Sequence, residues 1–243
     1  MRNSLPRNLT ILKTTMVLLL LAVGPTLRAA EDDLYKFLWL DPDKQVYVLQ
    51  NKVYKKRNSF YGSLGYLSGN SNEFQDTSGF QLTTGFYFHE EWALELFYNS
   101  YSNSNNDAFE SLQRVNGSVP FIRKVDSSYG AMAIWSPFYG KVNTFNKIFY
   151  FDWNFGLGVT KINAQTNAST VANPNTSDQF QTESYTGVAY KTGLRFHASE
   201  HIHIGIDYFR QSYQAPGPTL NNVPGSDKWR HNSDVIFSVG FSF

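Results

Sequence analysis

Among the groups that could do chemistry, three histidines fall close together. His201 and His203 stand two apart, so on an extended segment they share a face, and His197 precedes them by four residues. Two imidazoles so placed could grip a metal, but a persuasive site needs three ligands at fixed spacing, and His197 is only loosely placed. A second grouping, Asp227, His231, Ser233 and Asp234, has the residue types of a hydrolytic centre, although such residues are common in any polar loop. The third set is charged: Glu95, Asp152, Lys191, Arg195 and Asp207 each sit in an alternating segment, on the side opposite its apolar residues. Charges turned into a narrow interior need partners, so these five are expected to form one salt-bridge network. No Gly-x-Ser-x-Gly elbow, phosphate-cradling glycine loop or His-Glu-x-x-His helix occurs. The expectation is therefore a non-enzymatic protein with no cofactor and no metal.

The elements that would position these residues follow from composition. The chain has 243 residues, 42% hydrophobic and 16% aromatic, with 20 Phe, 15 Tyr and 5 Trp. Mean hydropathy is nevertheless negative, so apolar residues must be interspersed with polar ones. That excludes a bundle of apolar membrane helices, and the aromatic load excludes disorder. With no cysteine, disulfide frameworks, thiolate metal sites and a lipoprotein cysteine are excluded together.

Residues 1–30 read as a secretory signal peptide: Arg2, Arg7 and Lys13 precede an apolar run from Met16 to Val23, and Ala29 and Ala30 offer a cleavage point. Eight apolar residues are too few for a spanning helix, which needs about 20. Four of the 21 basic residues lie in this leader, leaving the rest of the chain net acidic and giving no sign of nucleic-acid binding. Residues 31–58 read as a short periplasmic arm, in which Phe37 to Leu40 form an apolar cluster.

From residue 59 the chain repeats one unit, ten or so residues of strict alternation followed by a turn or a polar loop. Eight units fall near 59–68, 78–88, 92–102, 127–135, 148–160, 183–196, 201–211 and 231–243. Phe149, Phe151, Trp153, Phe155, Leu157 and Val159 oppose Tyr150, Asp152, Asn154, Gly156, Gly158 and Thr160. A soluble sandwich would turn its apolar face inward; here the other face carries Gly, Ser, Asn and charges suited to a narrow polar lumen, which points to a barrel in lipid. Ten residues at about 3.3 Å each, tilted near 45°, rise roughly 23 Å, close to the apolar band of an outer-membrane barrel. Lipid cannot satisfy open sheet edges, so the strands must close.

Domain 59–243 is thus expected to be an eight-stranded antiparallel up-and-down transmembrane barrel. Tight turns at 89–91 and 197–200 and a longer turn at 136–147, opening with Ser-Pro, alternate with polar and mostly long connections at 69–77, 103–126, 161–182 and 212–230. An even strand count leaves both termini in the periplasm of a Gram-negative cell. Aromatic girdles are expected at Trp92 and Trp135 on the inner side and at Tyr98, Tyr129 and Tyr208 on the outer. The 103–126 loop carries Phe109, Leu112, Phe121 and Ile122, which could fold over the mouth or touch an envelope or surface partner.

Two resemblances add to this. The last strand, with Val235, Phe237, Val239, Phe241 and a terminal Phe243, resembles the insertion signal of bacterial outer-membrane proteins, which implies recognition by the barrel-assembly machinery. The stretches Val46-Tyr-Val-Leu-Gln-Asn-Lys-Val-Tyr54, Trp135-Ser-Pro-Phe-Tyr-Gly-Lys141, Phe149-Tyr-Phe-Asp152 and Gly156-Leu-Gly158 resemble the outer membrane beta-barrel domain family of gliding and predatory bacteria, over residues 45 to 243. That family describes an architecture and implies no catalytic residues. The function expected is structural or interaction-based with a plugged lumen; the alternatives are a narrow porin-like channel and a lipid-modifying or hydrolytic enzyme.

Overall fold

The computed structural model describes residues 52–243 apart from 118, 145–146, 169–170, 172–179 and 219–224. Residues 1–30, read above as a signal peptide, and residues 31–51 of the expected arm lie outside the described residues. Eight strands run in chain order around one closed, wholly antiparallel sheet: β1 (Ser59–Gly69), β2 (Gln75–Tyr87), β3 (Trp92–Asn105), β4 (Arg123–Thr144), β5 (Lys147–Thr166), β6 (Gln181–His197), β7 (Ile202–Pro216) and β8 (Asp227–Ser242). Closure is made by β8 returning to β1, with Tyr61 opposite Ser242 and Gly69 opposite Asp234. Both barrel termini therefore lie at one end, the terminal end, and the connections after β1, β3, β5 and β7 lie at the other, the loop end. No helix among the described residues is long and apolar enough to cross a membrane.

Alternation decides which way each side chain points, because successive residues of a strand face opposite sides of the sheet. On β3, Trp92, Leu94, Leu96 and Tyr98 are exposed on the outside, while Ala93, Glu95, Phe97 and Asn99 are buried inside. On β8, Val235, Phe237, Val239 and Phe241 face outward, and Phe243 just beyond it is also exposed. Each stripe stops at a polar residue towards the loop end: Ser68, Ser100, Ser127, Lys161, Arg210 and Ser233 continue the outward parity. The result is a greasy belt with a polar upper margin, the surface a bilayer requires. Aromatic residues edge it: Trp92 and Trp135 are paired across β3 and β4 with rings stacked 6.0 Å apart, and Tyr98 and Tyr129 are paired four registers on from Leu94 and Ala133. Tyr208 is exposed on β7, where its hydroxyl donates to Ser233 Oγ at 3.1 Å.

The strands are longer than the alternation alone suggests. Of residues 136–147, expected as a turn, 136–144 instead continue β4 and 147 begins β5, the two strands projecting at the terminal end with Tyr139 opposite Asp152. The register slips between Trp135 and Phe138, where Ser136-Pro137 forms a bulge. Proline has no N–H to give the ladder, and a bulge tolerates that. Loop 161–182 is shortened by strand up to Thr166, and loop 212–230 by strand up to Pro216 and from Asp227.

Loop 103–126 also departs from expectation. It contains a helix, α1 (Asp107–Asn116), started by Asn106, whose Oδ1 accepts from Phe109 N at 3.1 Å, and ended by Gly117 in the left-handed region at φ 62°. Both are ordinary caps: an Asn side chain satisfies a free helix N–H, and glycine adopts positive φ without a Cβ penalty. Phe109 tucks inward and is buried, as is Ile122 before β4.

Candidate functional site

The lumen is filled in layers. At the terminal end, Asp152 on β5 is fully buried and receives two partners, Lys56 Nζ at 2.7 Å and His197 Nε2 at 2.7 Å. Lys56 belongs to the residues just before β1. They turn into the strand at Asn58, whose φ of 59° is one that asparagine tolerates. Glu90 in the β2–β3 turn accepts from the amides of Lys56 (3.3 Å) and Arg57 (3.2 Å), and Lys52 Nζ lies 3.8 Å from it. Tyr54 stacks on the His197 ring at 4.9 Å. The segment is thus strapped across the terminal mouth, its lysine inserted into the barrel.

In the middle, Lys191 on β6 forms a buried ion pair with Glu95 on β3, and Tyr61 Oη donates to the other Glu95 oxygen at 2.6 Å. Arg195 lies over the Tyr61 ring at 4.4 Å and donates to Tyr87 Oη at 3.0 Å. Apolar side chains complete this layer: Phe97 packs edge-on against Phe209 at 5.1 Å, with Met132, Ile134, Leu67 and Ile236 in the same buried cluster. The lumen is therefore less polar than the opposing faces of the strands suggest.

Nearer the loop end, Tyr101 Oη donates to Asp234 Oδ2 at 2.8 Å and accepts from Gln211 Nε2 at 2.9 Å; Thr160 donates to Gln211 Oε1 at 2.8 Å. Gln81 Nε2 donates to Asn99 Oδ1 at 2.9 Å, and Asn99 Nδ2 to Ser128 at 3.1 Å. Such closed polar networks remove the penalty of burying amides and carboxylates.

The five charges singled out from the sequence all line the interior, but not as one network. Asp152 pairs with Lys56 and His197 rather than with Lys191 or Arg195: Arg195 stands opposite it in the register but turns its guanidinium to Tyr61 and Tyr87, and Lys191 lies four residues nearer the loop end. Arg195 and Asp207 make no ion pair within 4.0 Å among the described residues. Asp207 sits opposite Gly193, and its carboxylate occupies space that a Cβ at Gly193 would fill. The histidines separate too. His203 is buried inside, whereas His201 is exposed in the turn, stacked on Phe241 at 5.4 Å. No group of three His, Cys, Asp or Glu among the described residues could hold a metal. The Asp227, His231, Ser233, Asp234 grouping does not assemble either: Asp234 points into the lumen and Ser233 away from it, and His231 Nδ1 is 2.9 Å from Ser212 Oγ.

At the loop mouth, Arg123 bridges Glu183 (Nε to Oε2, 3.4 Å) and the Pro216 carbonyl (2.8 Å), and lies over the rings of Phe121 (5.2 Å) and Tyr185 (5.4 Å). A cavity of about 440 Å³ opens here, walled by residues 71–75, residues 121–123, Tyr213 and residues 229–231.

No family model matches this chain, and no curated protein does. Among solved structures, the N-terminal β-barrel domain of Pseudomonas aeruginosa OprF is 15% identical, with 77% of this chain and 98% of that one covered at a TM-score of 0.47. Ail, the attachment invasion locus protein of Yersinia pestis, is 15% identical over 77% of this chain and 99% of its own, at 0.44. Neisserial surface protein A is 13% identical over 76% and 96%, at 0.45. Similarity this low says nothing of what the chain binds.

Proposed function

We propose that this chain is an integral outer-membrane barrel with a closed lumen, working as a structural or interaction module rather than as a pore or a catalyst. The carrying observation is the middle layer, where Tyr61, Glu95, Met132, Ile134 and Phe209 are each no more than 1% exposed. An eight-stranded barrel is just wide enough for side chains to fill it, and these do. Both termini are assigned to the periplasm, because short turns lie on that side of such barrels and the longer connections outside. The bilayer is then one partner, the barrel-assembly machinery acting on Val235 to Phe243 a second, and an envelope or surface protein meeting the loop end a third. Kinship with the barrel family of gliding and predatory bacteria belongs to the same reading and rests on the stretches quoted above.

Reconstitution into planar bilayers tests the closed lumen. The expected result is a flat current trace. Discrete steps whose size changes when Glu95 or Lys191 is replaced would transfer the reading to a narrow channel. Hydrolysis of phospholipid or lipopolysaccharide by refolded protein, abolished by a joint Ser233→Ala and His231→Ala change, would transfer it to an enzyme.

A further inference from the structure

Two residues that wall the loop-end cavity carry buried polar atoms that no described residue satisfies. Gln75 is 6% exposed and its Oε1 has no hydrogen-bond partner, although its Nε2 reaches Asn105 at 3.5 Å. Arg230 Nε is likewise buried without a partner, and no carboxylate lies within 4.0 Å of this guanidinium among the described residues. Both residues wall the same cavity of about 440 Å³, a size within the range of small-molecule sites. An orphaned buried group costs free energy, so its retention points to a partner that arrives from outside.

The two orphans have opposite requirements. Gln75 Oε1 accepts and needs a hydroxyl or amide donor; Arg230 donates and favours a carboxylate, which its planar fork can hold through two bonds. A halide ion meets only the second requirement. The remaining walls narrow the choice. Phe74 and Phe121 add flat apolar surfaces, and Ser71 and Asn72 add small polar groups. Arg123 is already engaged by Glu183 and Pro216, so it lends positive field without being free, and exposed Glu73 opposes it only through solvent. Aromatic faces beside an amide suit the C–H face and hydroxyls of a pyranose.

We infer that this cavity binds an acidic saccharide unit, a pyranose bearing a carboxylate, with the carboxylate on Arg230, a ring hydroxyl on Gln75 and the ring face against Phe74 and Phe121. The inference deepens the interaction reading above and rests on it only for the exposure of the loop end. The same chemistry occurs in soluble glycans and in the inner core of lipopolysaccharide, so both sources belong in the test.

The full chain, refolded in detergent micelles, is titrated with a disaccharide ending in glucuronic acid, with its neutral glucose-ended counterpart, and with lipopolysaccharide carrying a ketodeoxyoctonic acid core. Saturable binding of an acidic ligand is expected, weaker by about tenfold or more for the neutral sugar and in Arg230→Gln, since one charge-assisted contact is lost. Binding of the disaccharide assigns a soluble glycan, and binding of lipopolysaccharide alone assigns the membrane's own sugar. Failure of both, or equal affinity for neutral and acidic sugars, overturns the inference without touching the closed lumen. The neutral-sugar comparison uses unaltered protein, so it decides the matter even where Arg230→Gln does not fold.

Discussion

Replacing Lys191 by methionine isolates the charge at the centre of the lumen. Methionine keeps most of the aliphatic stem, so packing changes little. Glu95, 1% exposed, then retains only the hydrogen bond from Tyr61. Removing one member of a buried ion pair costs about 3–5 kcal/mol, because the surviving charge stays desolvated. A second change, Glu95→Gln, removes that charge while preserving an acceptor for Tyr61. Loss in the double variant should fall below about 1.5 kcal/mol, since a buried pair contributes little beyond what neutral groups of similar shape contribute. The signature is therefore non-additive: the double variant is more stable than Lys191→Met alone by about 1.5 kcal/mol or more, and its loss falls well short of the sum of the two single losses. Urea unfolding in detergent micelles, followed by tryptophan fluorescence, measures all three. If Lys191→Met unfolds at the parent's midpoint, or if the two losses simply add, the ion pair does not hold the lumen closed.

Three further outcomes follow from the same packing. Asp152→Asn leaves the Lys56 ammonium without its carboxylate, so trypsin should cut between Lys52 and Asn58 about tenfold faster while the barrel stays intact; unchanged cleavage would mean the strap is held by Glu90 and Tyr54 alone. Gly158→Ala places a Cβ against the Ala131 carbonyl and the Met132 backbone of β4, and should cost about 1–3 kcal/mol in the same urea assay. Gly62→Ala, whose nearest neighbour would be the Thr83 carbonyl at 3.7 Å, should change stability by less than about 1 kcal/mol, and a loss matching that of Gly158→Ala would contradict the packing described.

The barrel was legible because its signal has period two and repeats eight times. The inward placement of Glu95, Asp152, Lys191 and Arg195 and the outward placement of Trp92, Tyr98, Trp135 and Tyr129 both follow from counting along a strand. Partners were not legible, because they depend on register between strands. Lys56 and Asp152 lie 96 residues apart, and nothing in either segment announces the other. Strand ends were hidden for a different reason: beyond the bilayer margin both faces are polar, so the strand continues through Ser100, Ser102 and Ser104 without contrast. Helix α1 was missed although its signals were present, namely Asn106 as cap, Asp107 and Glu110 in the first turn, Arg114 in the last and Gly117 behind it. The loop-end cavity could not be read at all, since Gln75, Arg123 and Arg230 come from three strands that only closure brings together.

The central claim concerns which way the apolar faces look, and the absence of cysteine makes it directly measurable. Single cysteines at Leu96, Leu157 and Val239, spin-labelled in lipid bilayers, should collide freely with oxygen and be shielded from a water-soluble nickel reagent, because hydrocarbon dissolves the one and excludes the other. Labels at these positions that relax readily with the nickel reagent, and not with oxygen, would place water where the barrel requires lipid.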